Sequence, residues 1–393
     1  MRPAAAVNCV AIVLAGLLLA VGTGAAMAGP LQVQTLSYQG PGRNGIAVDA
    51  HPITMPFVRS PDPAVAARIN DLLFIARHRA LSPRRPGQTF GAADGIAVDG
   101  QLSEHFEVLR NDGRILSLVF EGEGCGAYCE DFRQAYAFDA RTGLLFTAEN
   151  VVTPAGWRQL DARMRRESIR LYRAQLATLA QELKQARQTA SVGDISDTQE
   201  RIAFNQACLQ AREADTATAH AAPHRVPETD RYRFEFGPSA ITFVAGRCSN
   251  HALRALDDVD SVRVSLPYAA AGAMLTPYAR AVLAGRPATP PEAVFGQLLR
   301  GSLSAAGSAD LAVTMLLNRL DDGSLAGTYF YGHIRQPIDL SGAPQGAGIR
   351  LTEDAGDTSR PRHMKPVFTL SRSADGLAGT WTGERTLGVR LHP

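Results

Sequence analysis

Two cysteines, Cys125 and Cys129, stand on either side of three residues in the stretch EGEGCGAYCEDF, residues 121–132. In an extended strand, residues four positions apart lie about 13 Å from each other. A disulfide needs Cα atoms within about 7 Å. If the two sulfurs pair, the backbone must reverse direction between them, and the stretch reads as a pinned turn at the end of the strand-like run ILSLVF. Other readings fit less well. A redox couple favours Cys-x-x-Cys at a helix start, where the thiol pKa falls. Here the spacing is one residue longer, and Glu121, Glu123, Glu130 and Asp131 surround the pair, which raises a thiol pKa. The same carboxylates would repel a phosphate from the glycines. Zinc could draw on Cys125, Cys129, Cys248 and His251, but the N-terminus argues for an oxidising compartment, where disulfides form.

That N-terminus begins with Arg2, followed by an apolar run from Ala4 to about Ala26 with VAIVLAGLLLAV at its centre. It ends in Ala26-Met27-Ala28 before Gly29-Pro30. Small residues at the −3 and −1 positions suit signal peptidase, so a signal peptide cleaved after Ala28 is expected. The alternative is a membrane anchor, since the run approaches the roughly 20 residues of a span. Gly22, Gly24 and the Ala-Met-Ala site favour cleavage. No later stretch could span a bilayer. We therefore expect a periplasmic or secreted bacterial protein. Its remaining cysteines, Cys125, Cys129, Cys208 and Cys248, are even in number and read as two disulfides. Three connectivities are open, of which Cys125–Cys129 with Cys208–Cys248 is preferred. The formal charge of +2 falls near +1 without Arg2. There is no basic stripe, so no nucleic-acid partner is expected.

Along the chain, HPITMPFV reads as a strand. PDPAVAARINDLLFIARHRAL then places Val65, Ile69, Leu72, Leu73 and Ala76 at helical spacing, with Asp62 as N-cap and Pro63 in the first turn. Asn111-Asp112-Gly113 marks a hairpin. Residues 156–188 carry one apolar stripe, from Leu160 and Met164 to Leu179 and Leu183, and predict a long helix laid on a sheet. A short helix is expected around Asp197–Arg212, carrying Cys208. RYRFEF and AITFVAG form a hairpin, SVRVSLPY a further strand, and AGAMLTPYARAVLAG a short helix. The Pro-rich GRPATPPE, residues 285–292, reads as a linker. Beyond it, short strands such as LAVTMLLNRL, GSLAGTYFYG and VFTLSRS recur about every ten residues, as in a small antiparallel sheet or barrel. Alternation sends Phe330 and its Tyr neighbours to opposite faces, which could open one of them to a ligand, but packing in the core or at its rim is the expectation for these aromatics. The fold class expected is α+β: a mixed sheet with a long packed helix, then a small all-β antiparallel domain. The domains are a signal peptide (1–28), an α+β domain (29–284), the linker, and the β domain (293–393).

The order of pieces in residues 50–284 resembles the extracellular domain of RsiV-type anti-sigma factors, where it binds lysozyme, and of PdaC-type peptidoglycan deacetylases. The matching pieces are HPIT…AARINDLL, ILSLVFEGEGCGAYCEDF, the Phe-Asp-x-x-Thr-Gly turn in YAFDARTGLLFT, the hairpin RYRFEFGPSAITFVAGR, and SVRVSLPYAA. The family's loop histidine is absent; Tyr128 and Cys129 stand there instead. Neither a sigma-binding segment nor a deacetylase domain is present. The resemblance implies an α+β envelope domain acting as a binding surface.

No hydrolase signature, nucleotide loop or calcium loop occurs in context, so no cofactor is expected. The reading is a non-catalytic binding protein of the cell envelope. Glu121, Glu123, Tyr128, Glu130 and Asp131 are its candidate contacts, toward an envelope protein such as a lysozyme or a peptidoglycan fragment. One alternative is an enzyme acting on cell-wall polysaccharide, which would need two carboxyls about 5–9 Å apart. Another is a structural or assembly role.

Overall fold

The computed structural model describes residues 29–40, 52–98, 101–126, 129–189, 191–218, 232–291, 293–305, 309–320, 322–354 and 365–393. The expected signal peptide and Tyr128 lie outside the described residues.

Strand β1 (Gln32–Gln39) pairs antiparallel with β2 (Thr54–Arg59). Helix α1 (Pro63–His78) packs on this pair, and the short β3 (Thr89–Gly91) joins β1 in parallel. The helix starts as its sequence dictates: the Asp62 carboxylate accepts the Ala64 N–H at 2.8 Å, and Pro63 occupies the first turn. Strands β4 (Gln101–Asn111), β5 (Ile115–Cys125) and β6 (Cys129–Asp139) form an antiparallel meander. The expected turn joins the first two, with Gly113 at φ 76° and the Asp112 carboxylate accepting the N–H of Arg114 and Ile115 at 3.0 Å.

Residues 115–120 of β5 are buried throughout, because the meander stands between two cores. Leu116, Leu118 and Phe120 pack with Ile69, Leu73 and Phe74 of α1. Ile115 and Ala137 join the second core. Helix α2 (Ala148–Val151) and α3 (Pro154–Gln188) border that core. Its other members include Phe146, Trp157, Leu160, Met164, Phe236, Phe243 and Leu266. Burial of each such side chain contributes about 1.5–3 kcal/mol.

The long helix α3 leaves the core after its first turns and continues against α4 (Val192–Thr218), which runs back along it. Arg173–Glu213 and Arg201–Glu182 ion pairs lace the two helices together. Helix α4 extends beyond the short segment expected from sequence at both ends. Its buried positions are Thr198, Asn205 and Cys208, which are polar or small and leave no apolar period to read. Strands β7 (Tyr232–Phe236), β8 (Ala240–Ala245) and β9 (Val262–Pro267) make a third antiparallel sheet, followed by α5 (Tyr268–Ala271) and α6 (Pro277–Leu283).

The C-terminal part is a closed barrel of eight antiparallel strands in sequential order. They are β10 (Leu298–Ser304), β11 (Leu311–Arg319), β12 (Leu325–Tyr331), β13 (Ile338–Gln345), β14 (Gly348–Glu353), β15 (Val367–Ser373), β16 (Gly376–Thr382) and β17 (Thr386–His392). The first strand, LLRGSLS, closes the barrel by pairing with both β11 and β17. Its central Gly301 is required: a Cβ there would lie 1.8 Å from the Arg390 carbonyl. Alternation fills the interior with Leu299, Val313, Met315, Leu351, Phe368 and Leu391. One carboxylate sits among them. Glu353 accepts the hydroxyl of Tyr329 at 2.5 Å and the indole N–H of Trp381 at 2.7 Å.

The same alternation turns Phe330 outward, but not to solvent. It is fully buried with Leu298 and Leu316 in the core that contains α1. Tyr329 is buried and Tyr331 partly buried, so these aromatics pack in core and rim as expected, and Phe330 is not the ligand-accessible alternative. Ion pairs rim this junction, Arg300–Asp71 at 2.8 Å and Arg79–Asp339.

Candidate functional site

The stretch EGEGC is not loop but the end of strand β5, which runs to Cys125, and CEDF opens β6 at Cys129. Cys125 and Cys129 face each other across the hairpin and are joined by a disulfide. The alternation of Glu and Gly is a strand pattern. Register rows His105–Glu121–Arg133 and Ser103–Glu123–Asp131 share one face of the meander. Gly122 is on the other face, pressed by the β4 backbone where its register shifts. A Cβ on Gly122 would lie 2.0 Å from the Ser103 carbonyl.

The Glu-bearing face forms one wall of a groove of about 1270 Å³. The opposite wall is sheet β7–β9 with residues 247–254. There a second alternation operates: Arg233, Val244 and Arg263 form one cross-strand row, and Glu235 lies on the same face one row on. The apolar residues next to them in sequence, Phe236 and Val262, point into the core. Residues 247–254 are held from behind. Cys248 is disulfide-bonded to Cys208 of α4, the Asp257 carboxylate accepts the Ser249 N–H at 2.9 Å, and the Asn205 amide donates to the Leu256 carbonyl at 3.0 Å. Both cysteine pairs are therefore disulfides, and their sulfurs are not available as thiolate ligands. Glu123 comes close to the Cys125–Cys129 sulfurs, but a disulfide offers a metal no charged ligand.

Ion pairs tie the walls together. Arg133 donates to Glu235 through Nε at 2.9 Å and Nη2 at 3.1 Å, and through Nη1 to Glu121. Arg263 donates to the same Glu235 at 2.7 Å. Burial pushes the Glu235 carboxyl up, but the Arg133 and Arg263 guanidinium groups outweigh it and hold its pKa below the usual value. The hydrogen bond to Glu235 in turn raises Arg133. At the hairpin tip, Arg247 pairs with Glu130, and Arg254 lies 3.7 Å from Glu130 and 3.6 Å from Asp131.

Of the residues expected from sequence, Glu121, Glu123, Glu130 and Asp131 all line the groove. Asp131 is the most open, with 78% of its side chain exposed. The sequence reading did not single out Arg133, Arg233, Glu235, Arg247, Arg254 and Arg263. The charged–apolar alternation of RYRFEF and SVRVSL was the available signal.

The fold and groove define a mixed α+β protein with a closed β-barrel packed on its first helix and a charged cleft beside a disulfide-tied hairpin. No family model matches the chain, and no curated protein matches it. Among solved structures it is similar to the crystal structure of a DUF3298 family protein from Pseudomonas aeruginosa. The identity is 12%, over 66% of this chain and 96% of that one, with a TM-score of 0.29. Two disulfides fit an oxidising compartment, and among the described residues no helix is long and apolar enough to cross a membrane.

Proposed function

We propose that this chain is a non-catalytic binding protein of the bacterial envelope, exported to the periplasm or beyond. It takes an envelope protein such as a lysozyme, or a cell-wall glycan fragment, in the groove between the β5–β6 hairpin and sheet β7–β9. The observation that carries this reading is the groove itself: about 1270 Å³ of open, charge-lined space whose two walls are each fixed by a disulfide. Fixed walls reduce the ordering cost of binding. Mixed charges favour recognition through complementary fields.

Hydrolysis of wall polysaccharide would need a carboxylic acid that stays protonated near neutral pH to serve the leaving group. Glu235, the most buried carboxylate of the groove, is instead held ionised by two guanidinium groups. This favours binding over catalysis.

The test is titration of the purified mature protein with lysozyme and with soluble peptidoglycan fragments, followed by calorimetry and by amide shifts in NMR spectra. At least one should bind, and the shifts should map to the hairpin and to β7–β9. The triple variant Glu123→Ala, Tyr128→Ala, Glu130→Ala should lose that binding. Equal binding by variant and wild type would remove the hairpin from the site.

A further inference from the structure

We infer that the β7–β9 wall of the groove holds an oxyanion subsite, formed by Arg233 and Arg263, that takes a carboxylate of a cell-wall glycopeptide. The inference deepens the proposed function and rests on it, since it names the chemistry of the groove's ligand.

The geometry is that of two guanidinium groups in one row beside a single internal carboxylate, Glu235, which pairs with Arg263 but not with Arg233. Arg233 and Arg263 flank Val244 in a single row across three strands, so their backbones are about 10 Å apart and their side chains rise on the same face. Arg263 spends one N–H on Glu235, at 2.7 Å. Arg233 donates only to the backbone carbonyl of Arg133, and no carboxylate forms an ion pair with it among the described residues. A guanidinium carries five N–H donors, so most donors of both residues remain for a ligand. Arg133 differs: its Nε and both terminal nitrogens are engaged by Glu235 and Glu121.

An arginine in this position is costly without an anion. Arg233 is half-buried; burial depresses its pKa, and the neighbouring Arg263 and Arg133 charges add to that. Glu235 and Asp260 offset part of the repulsion. A ligand carboxylate between Arg233 and Arg263 would remove the rest. The bidentate Arg133–Glu235 pair beside it shows that this wall already accommodates a planar carboxylate against a guanidinium fork. The hairpin wall carries the acidic groups: Glu123 has no charged partner among the described residues, and Asp131, 3.6 Å from Arg254, is largely exposed. A ligand that places its carboxylate on the β7–β9 wall and an ammonium or hydroxyl groups against the hairpin wall matches both. A stem peptide on an amino sugar has that arrangement. A basic protein surface matches the hairpin wall alone.

The experiment titrates the mature protein with four probes at equal ionic strength: a disaccharide-tripeptide from peptidoglycan, neutral chitotetraose, inorganic phosphate and lysozyme. The disaccharide-tripeptide should bind, with affinity falling as salt rises, and should shift the amides of β7 and β9. Arg233→Gln and Arg263→Gln should each weaken it roughly 10-fold or more, as expected for a lost charge-assisted hydrogen bond. Arg263→Lys, which leaves the fold least disturbed, should weaken it less than Arg263→Gln. Equal affinity for chitotetraose, or unchanged affinity in both Gln variants, overturns the subsite. Tighter binding of phosphate than of the tripeptide overturns the carboxylate assignment. Lysozyme binding that is lost with the hairpin triple variant but retained in Arg233→Gln, with no glycopeptide binding, overturns the subsite and leaves the groove reading intact. Absence of binding by all four probes counts against both.

Discussion

Glu130 and Arg247 form an ion pair across the groove, and each stands one residue from a disulfide-bonded cysteine, Cys129 and Cys248. One bridge fixes the hairpin tip that presents the carboxylate. The other fixes to α4 the segment that presents the guanidinium. The two bridges differ in what they contribute to the fold. They close sequence separations of 4 and 40 residues. In the chain-entropy account these are worth about 2 and about 4 kcal/mol. Urea unfolding should therefore show the larger loss for Cys208→Ser with Cys248→Ser and the smaller for Cys125→Ser with Cys129→Ser. A double-mutant cycle on Glu130→Gln and Arg247→Gln should give a coupling near 1 kcal/mol in the wild type. The coupling should shrink when either bridge is removed. A coupling indifferent to both would mean that the bridges do not position the pair.

Gly122 makes a sharper test of the hairpin. Its missing side chain lets the shifted β4 backbone lie against β5, with the Ser103 carbonyl and the Glu104 Cα where a Cβ would be. Both neighbours are backbone, so neither can rotate away. Gly122→Ala should destabilise the protein by about 1–3 kcal/mol and should broaden or shift amide signals of residues 101–105. A neutral substitution would show that the β4 register shift is not fixed by this glycine.

Local rules of this kind were legible in the sequence, whereas faces and partners were not. Asp62 and Pro63 announced α1, and Asn111-Asp112-Gly113 announced the β4–β5 turn, because caps and turns depend on a few adjacent residues. The glycines of EGEGC read as loop, although their period of two is that of a strand; only the β4 backbone behind Gly122 explains them. Strand β10 went unread because Gly301 interrupts it, yet it closes the barrel. Arg233, Glu235 and Arg263 alternate visibly with apolar residues. That their face opposes the hairpin is a property of how two sheets pack, which no local pattern records. Phe330 illustrates the same limit: alternation fixes that it leaves the barrel interior, and only the docking of α1 decides that it is buried.

That docking predicts how the molecule unfolds. Phe330, Leu298 and Leu316 leave the barrel to join the core of α1, and Arg300–Asp71 pairs at the edge. Phe330→Ala should cost about 3–5 kcal/mol. The loss should fall on the junction, because the barrel interior keeps its own Tyr329 and Phe368. In calorimetry the variant should separate into two transitions where the wild type shows stronger coupling between its parts. A single transition shifted as a whole would indicate that the barrel cannot persist without the junction.

The acid stability of the protein should turn on His78. Its side chain is 1% exposed, packed near Phe74 and Phe90, with Nε2 3.5 Å from a Glu104 oxygen. The charge of Glu104 is taken up by Arg77, which donates to it at 2.9 Å, and Gln101 donates at 2.7 Å. Burial, with the Arg77 charge beside it, pushes the His78 pKa down to about 3. The folded protein therefore keeps this imidazole neutral, while the unfolded chain takes up a proton below about 6.5. Between those values the unfolded state binds more protons, so stability falls as pH drops through the window and levels off below the folded pKa. At pH 5 the loss relative to neutral pH is about 2 kcal/mol. His78→Leu removes the titration and should flatten the urea-midpoint profile between pH 7 and 5. An unchanged slope in the variant would show that other groups carry the proton uptake and that His78 is charged in the fold.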